Sequence, residues 1–256
     1  MKKYTLNFGE FKQYDKTFLT ADQGIDGSSV TSVAFCGETL YIATKEGTFE
    51  YKDGNVKKLS FTADKFFSAD SKLYASVGNI LVQIKNGKSK KIQEFDSPVV
   101  DISVALDKSL WLITEDTLFL SENGEFTSVV GLPSETVCLA ALDKKAKYAE
   151  TVYVGSSVEG LLSMKGKRRH WAELLPDNTG VMSKKINCLK IDALGHLWVG
   201  SDEGLNIYDG KNYWFNGNDF YSVPSGSFND MVFAADGKKY FATNEVVGYR
   251  GICLEE

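Results

Sequence analysis

The strongest constraint on how this chain folds is the stretch INCLKIDALGHLWVGSDEGLNIYDGKNYWF, Ile186 to Phe215, because its pattern returns in weaker copies along the sequence. Its apolar runs are Ile186/Leu189/Ile191, Leu197-Trp198-Val199, Leu205 to Tyr208 and Tyr213-Trp214-Phe215. Each is short and rich in β-branched or aromatic side chains, which suit a pleated, half-buried surface. Between them sit Ala193-Leu194-Gly195, Asp202-Glu203-Gly204 and Asp209-Gly210. An Asp-Gly step favours a two-residue hairpin because both central residues need positive φ. The stretch therefore predicts a four-stranded antiparallel meander, apolar on both faces, that needs a copy of itself on either side.

The copies can be located by the aromatic of the second strand, at Tyr41, Tyr74, Trp111, Tyr153, Trp198 and Tyr240. After the first four of these, the glycine of the third-to-fourth-strand turn follows at 13 residues (Gly54, Gly87, Gly124, Gly166), and after Trp198 at 12 (Gly210). A period of about 40 residues with four short strands per unit is the signature of a β-propeller blade. The fold class read from this is all-β: a six-bladed β-propeller of four-stranded antiparallel blades, one domain over 1–256. Tyr240 lies too close to the C-terminus for its unit to complete its outermost strand. The ring is therefore expected to be closed by N- and C-terminal strands, with Tyr249 to Leu254 as strand three and the N-terminal segment as the outer strand. Such closure removes an open sheet edge that would template aggregation.

GHLWVGSDEGLNIYDG, Gly195 to Gly210, resembles the repeat of two-component-regulator propellers, with its turn glycine, Leu-Trp pair, Gly-Ser step and Gly-Leu pair. Leu40 to Gly54, Leu110 to Gly124 and Thr151 to Gly166 are weaker copies. The resemblance implies a sensor ectodomain architecture. It implies no particular chemistry, because this fold hosts many activities.

A net charge of -5 offers no global attraction to nucleic acid, and no apolar run approaches membrane-spanning length. The N-terminal Met1-Lys2-Lys3 is followed by an alternating segment rather than a signal-peptide core. As written, the chain is expected to be cytoplasmic, or exported if a signal had been removed. The four cysteines form no CxxC pair and read as small buried hydrophobes.

Ligands of propellers meet the loops that lead into strand one and those joining strands two and three. The latter carry Glu46, Glu115, Asp116, Glu159, Asp202, Glu203 and Glu245. These acids fit ordinary turn chemistry or a ring of carboxylates for a cation. Alignment on the aromatic positions brings Ser32, Asp64, Asp101, Cys138, Cys188 and Asp230 to one slot in strand one, with Asn187 and Asn229 beside it. Asp64, Asp101 and Asp230 are the candidate ligands should Ca²⁺ or Mg²⁺ bind. His196 reads as a surface residue, and Trp171, next to Lys167 to His170, as part of a basic-aromatic patch on the outer strand of blade four. No nucleophile, zinc or phosphate-loop motif is present. The expected function is a non-catalytic binding or sensor propeller presenting its funnel or rim to a protein partner or small polar ligand. The alternative is a divalent-metal-dependent hydrolase or lyase, carbohydrate-directed in one form, using the channel aspartates.

Overall fold

The structure is a computed structural model, and it describes residues 5–7, 24–25, 30–69, 72–122, 124–142, 150–165, 169–174, 180–181, 183–208, 214–216, 226–233, 239–243 and 253–255. Among these every regular element is a strand, and no helix is long and apolar enough to cross a membrane.

The strands follow the repeat. After β1 (Thr5–Asn7) comes a sheet of β2 (Val30–Cys36), β3 (Thr39–Thr44), β4 (Gly47–Lys52) and β5 (Asn55–Lys58). The second sheet is β6 (Lys65–Ala69), β7 (Lys72–Val77), β8 (Ile80–Lys85) and β9 (Lys88–Glu94). The third is β10 (Val99–Val104), β11 (Leu110–Thr114), β12 (Thr117–Glu122) and β13 (Glu125–Gly131). The fourth is β14 (Thr136–Ala141), β15 (Glu150–Ser156), β16 (Leu161–Lys165) and β17 (Trp171–Leu174). The fifth is β18 (Ile186–Ile191), β19 (Leu197–Ser201), β20 (Leu205–Tyr208) and β21 (Trp214–Asn216). Then come β22 (Phe228–Phe233), β23 (Lys239–Thr243) and β24 (Cys253–Glu255). Each four-stranded sheet is a meander in sequence order, β22 pairs with β23, and β1 pairs antiparallel with β24 through Leu6 and Leu254.

The turns behave as their chemistry dictates. Asp53 and Gly54 take φ of 50° and 80°, and Asn86 and Gly87 take 52° and 69°, the doubly left-handed pair of a tight hairpin. Asp209-Gly210 lies outside the described residues.

The chain forms two compact units, one of residues 14–104 and 108–129, the other of residues 1–13, 105–107 and 130–256. In the first, the aromatic positions of strand two seed two cores between successive sheets. One gathers Tyr41, Phe66, Leu73 and Val82; the other gathers Phe67, Tyr74, Leu81, Leu112 and Phe126. In the second unit, Tyr153, Leu161, Ile186 and Val199 form one core, and Trp198, Leu205, Phe228 and Met231 another.

Packing in the second unit is close enough to dictate glycine. A Cβ built on Gly155 would lie 2.5 Å from Ile186 Cγ2 and 2.6 Å from Cys138 Sγ. One on Gly200 would collide with Cys188 Sγ and lie 3.0 Å from Phe228 Cβ. The Gly-Ser step of the repeat thus marks where the next sheet's first strand presses on strand two. Cys138 and Cys188, both buried and unbridged, fill the space beside those glycines.

The hairpin before Trp198 is held by a buried carboxylate. Asp192 Oδ1 accepts from the amides of Leu194 (3.0 Å) and His196 (2.9 Å), and Oδ2 accepts from the Trp198 indole at 3.0 Å. His196 Nδ1 stands 3.1 Å from Oδ2 and its side chain is only 12% exposed, so the expectation of a surface histidine is corrected. Its hairpin position is as read, but the buried acid draws the ring inward.

Gly200→Ala should lower unfolding stability by about 1–3 kcal/mol, because the added methyl overpacks the contact with the following strand. Urea denaturation would register this as a lower midpoint at unchanged slope; an unaltered midpoint would refute the close-approach account.

Candidate functional site

Apart from Trp171, the sequence-predicted residues lie where strand one begins, beside the hairpin between strands two and three. In the first strands a β-bulge recurs there: the register shifts between Val30 and Ser32, Val99 and Asp101, Thr136 and Cys138, Ile186 and Cys188, and Phe228 and Asp230. A bulge re-aims the side chain that follows it. In two sheets that side chain is an aspartate closing onto its own strand: Asp101 Oδ1 accepts from the Ile102 amide at 2.9 Å, and Asp230 Oδ1 from the Met231 amide at 2.8 Å.

Asp64 is corrected. Ser32 and Asp101 pair opposite the residue two beyond the strand-two aromatic, Ala43 and Ile113, and in the second sheet Lys65 pairs with the equivalent Ser76. Lys65 therefore holds the slot, and Asp64 falls one residue before it, where Oδ2 accepts from the Gly78 amide at 2.5 Å. The Lys65 ammonium donates to Val100 O at 3.3 Å and stands 4.0 Å from Asp101 Oδ1. Asp101, buried, thus faces a protein cation. On the preceding side, Ser32 Oγ accepts from the Phe66 amide at 3.0 Å.

Asn187 and Asn229 are brought together. Asn187 Nδ2 donates to Ser227 Oγ at 3.0 Å, and Ser227 Oγ donates to Asn229 Oδ1 at 2.8 Å. Asn229 and Asp230 are exposed. This polar run joins the first strands of the fifth and sixth repeats. Trp171 is not part of it: on β17 its indole donates to Gly131 O at 2.8 Å, tying its own sheet's outer strand to the chain leaving β13.

The hairpin acids have a structural partner that sequence reasoning missed. Ser97 Oγ donates to Asp116 Oδ1 at 2.7 Å, Ser183 Oγ donates to Asp202 Oδ1 at 2.6 Å, and Ser134 donates to Glu159 Oε1 through both its amide (2.9 Å) and its hydroxyl. In each case a serine leading into strand one is clamped to an acid of the same sheet's hairpin. The final Ser or Thr of strand two braces that hairpin from within. Thr114 Oγ1 bonds Asp116 Oδ1, Ser156 Oγ accepts from Val158 and Glu159, and Ser201 Oγ accepts from Glu203. The signal was available as a Ser two or three residues before each of these first strands. Glu245 lies outside the described residues.

Among the described residues no group of three or more His, Cys, Asp or Glu side chains could hold a metal ion. Asp64, Asp101 and Asp230 each bond an amide of their own sheet. The site as described can offer hydrogen bonds from Asn187, Ser227 and Asn229 and a charge from Asp230.

No protein-family model matches the sequence, and no curated protein matches it. Solved structures do resemble it. The extracellular domain of a hybrid two component system of Bacteroides thetaiotaomicron superposes with a TM-score of 0.67 at 16% identity, over 92% of this chain and 34% of that one. YCF48 bound to D1 peptide gives 0.61 at 12% identity, over 89% and 78%. A catalytically inactive virginiamycin B lyase of Staphylococcus aureus with quinupristin gives 0.60 at 13%, over 86% and 79%. The chain spans about a third of the length of the first of these. The likeness shows the fold: the chain is a β-propeller of four-stranded antiparallel sheets, with two-component-system ectodomains among its structural neighbours, the type its repeat resembles.

Hydrogen bonds from Ser97 and then Thr114 hold the Asp116 carboxyl below the usual carboxylate range. A group depressed on folding stabilises the native state above its unfolded pKa, and that contribution is lost as pH falls through the folded value. Asp116→Asn should therefore be less stable than wild type at pH 7, with the gap in urea midpoint closing between about pH 5 and pH 2. A gap that stays constant on acidification would contradict the clamp.

Proposed function

We propose that this chain is a non-catalytic, six-bladed binding propeller over 1–256. Its sixth blade is completed by pairing of the termini, and the strand-one end of its sheets receives a protein segment or a small polar ligand. The carrying observation is the contrast at that end. Asp116, Glu159 and Asp202 are spent on clamping loops, whereas Asn187, Ser227 and Asn229 form a polar run with exposed Asp230 beside it. Amide side chains offer donors and acceptors together, suited to a peptide backbone or a hydroxylated ligand.

The pairing of β1 with β24 supports closure at the termini. Similarity to an extracellular two-component-system domain supports a sensor role on the exported side of a membrane, and similarity to a peptide-bound propeller supports a peptide as ligand. The second reading, a divalent-metal-dependent hydrolase or lyase, rests on exposed Asp230 and on the lyase among the structural neighbours.

Two measurements separate these readings. Panning a displayed peptide library against the protein should enrich peptides whose binding falls about tenfold, or 1.4 kcal/mol, in Asn187→Ala and Asn229→Ala. Thermal midpoints of chelator-treated protein should not rise saturably with Ca²⁺, Mg²⁺ or Mn²⁺. A saturable rise abolished in Asp101→Ala or Asp230→Ala would overturn the binding reading in favour of the metal enzyme.

A further inference from the structure

At the opposite end of the first unit's strands, the first and second sheets border a cleft of about 570 Å³, a size typical of small-ligand sites. Lys52 at the end of β4, Lys72 at the start of β7 and Lys85 at the end of β8 line it, with Tyr41, Glu50 and Gln83. Lysines rarely converge without an acid to answer them, since like charges raise one another's energy. Here the answer is incomplete. Among the described residues Lys52 pairs only with Glu38, 3.9 Å away on an 87% exposed side chain, and Lys72 and Lys85 form no ion pair. Glu50 does not neutralise the three, because Lys57 already holds its carboxylate at 2.9 Å. On a chain of net charge -5 the cleft is a local excess of positive charge.

Its wall is donor-rich as well. The buried Tyr41 contributes a phenol whose proton can be donated. Burial, and then the nearby Glu50 charge, raise its pKa above the ordinary tyrosine value, so it stays a donor at neutral pH. Gln83, half-buried, adds an amide that can both donate and accept.

We propose that this cleft binds a small organic polyanion carrying hydroxyl groups, a hydroxylated di- or tricarboxylate or a phosphorylated sugar. The ammonium groups of Lys52, Lys72 and Lys85 meet the anionic oxygens, and Tyr41 and Gln83 hydrogen-bond the remaining polar atoms. The site is independent of the strand-one end and stands or falls separately from the function proposed there.

The test is calorimetric titration of the full chain with citrate and with glucose 6-phosphate, at matched ionic strength, with glucose as the uncharged control. Saturable binding of at least one anion and none of glucose is expected, and the responding anion tells carboxylate from phosphate. The exposed pair Lys72→Gln/Lys85→Gln should weaken that binding at least about tenfold while leaving the ligand-free thermal midpoint unchanged. Added NaCl should weaken it further. Absence of saturable binding to either anion, or undiminished binding in the double variant, would overturn the proposal.

Discussion

The close approach of one sheet's first strand to the previous sheet's second strand is the contact on which the second unit depends. At Gly155 and Gly200 there is no room for a Cβ, and the neighbouring Cys138, Ile186, Cys188 and Phe228 occupy the space a side chain would take. Within each unit, sheets bury apolar faces against one another, so the main cores gather residues of successive sheets. The aromatic positions beside these glycines, Tyr153 and Trp198, are 3% and 0% exposed for that reason. In the first unit the equivalent strand-two positions are Ala43, Ser76 and Ile113. There Lys65 bonds across to the next sheet's first strand, and Ser32 accepts the Phe66 amide. In the first unit polar contacts between successive first strands, rather than a missing side chain, mark this position.

That geometry decides what the acids can do. Strand two ends in Ser or Thr directly after its small residue in the fourth and fifth sheets, and the hydroxyl turns the chain into the hairpin. The acid at the hairpin tip then finds a serine of the incoming loop within hydrogen-bond reach. A carboxylate bonded to such donors is preorganised for structure, with one oxygen committed to the loop. The candidate binding residues at this end that lie outside the clamps are Asn187, Asn229 and Asp230.

Much of the architecture was legible because turns and aromatics set its period. Asp53-Gly54 and Asn86-Gly87 carry their conformation in their composition, and the meander from Ile186 to Phe215 appears strand for strand up to its last element, which begins at Trp214. The slot of strand one was legible to within one residue. Two residues separate β6 from β7, whereas five separate β10 from β11, and that shorter hairpin moves the slot from Asp64 to Lys65. The inward turn of His196 escaped notice because the acid that draws it, Asp192, reads in sequence as one more turn residue. The Ser–acid clamps were hidden for a related reason. Their partners lie 19 or 25 residues apart and meet only when strand one pairs with strand two. Trp171 looked like half of a surface patch, but its indole is committed to Gly131.

The central claim is that the hairpin acids belong to the fold and not to a ligand. A double-mutant cycle on Ser183→Ala and Asp202→Ala, read by urea unfolding, tests it most directly. The two residues share a hydrogen bond of 2.6 Å, so the cycle should return a coupling energy of about 1 kcal/mol, since contacting residues are non-additive on that scale. Strict additivity, with each single variant as stable as wild type, would contradict the account and return Asp202 to the candidates for binding.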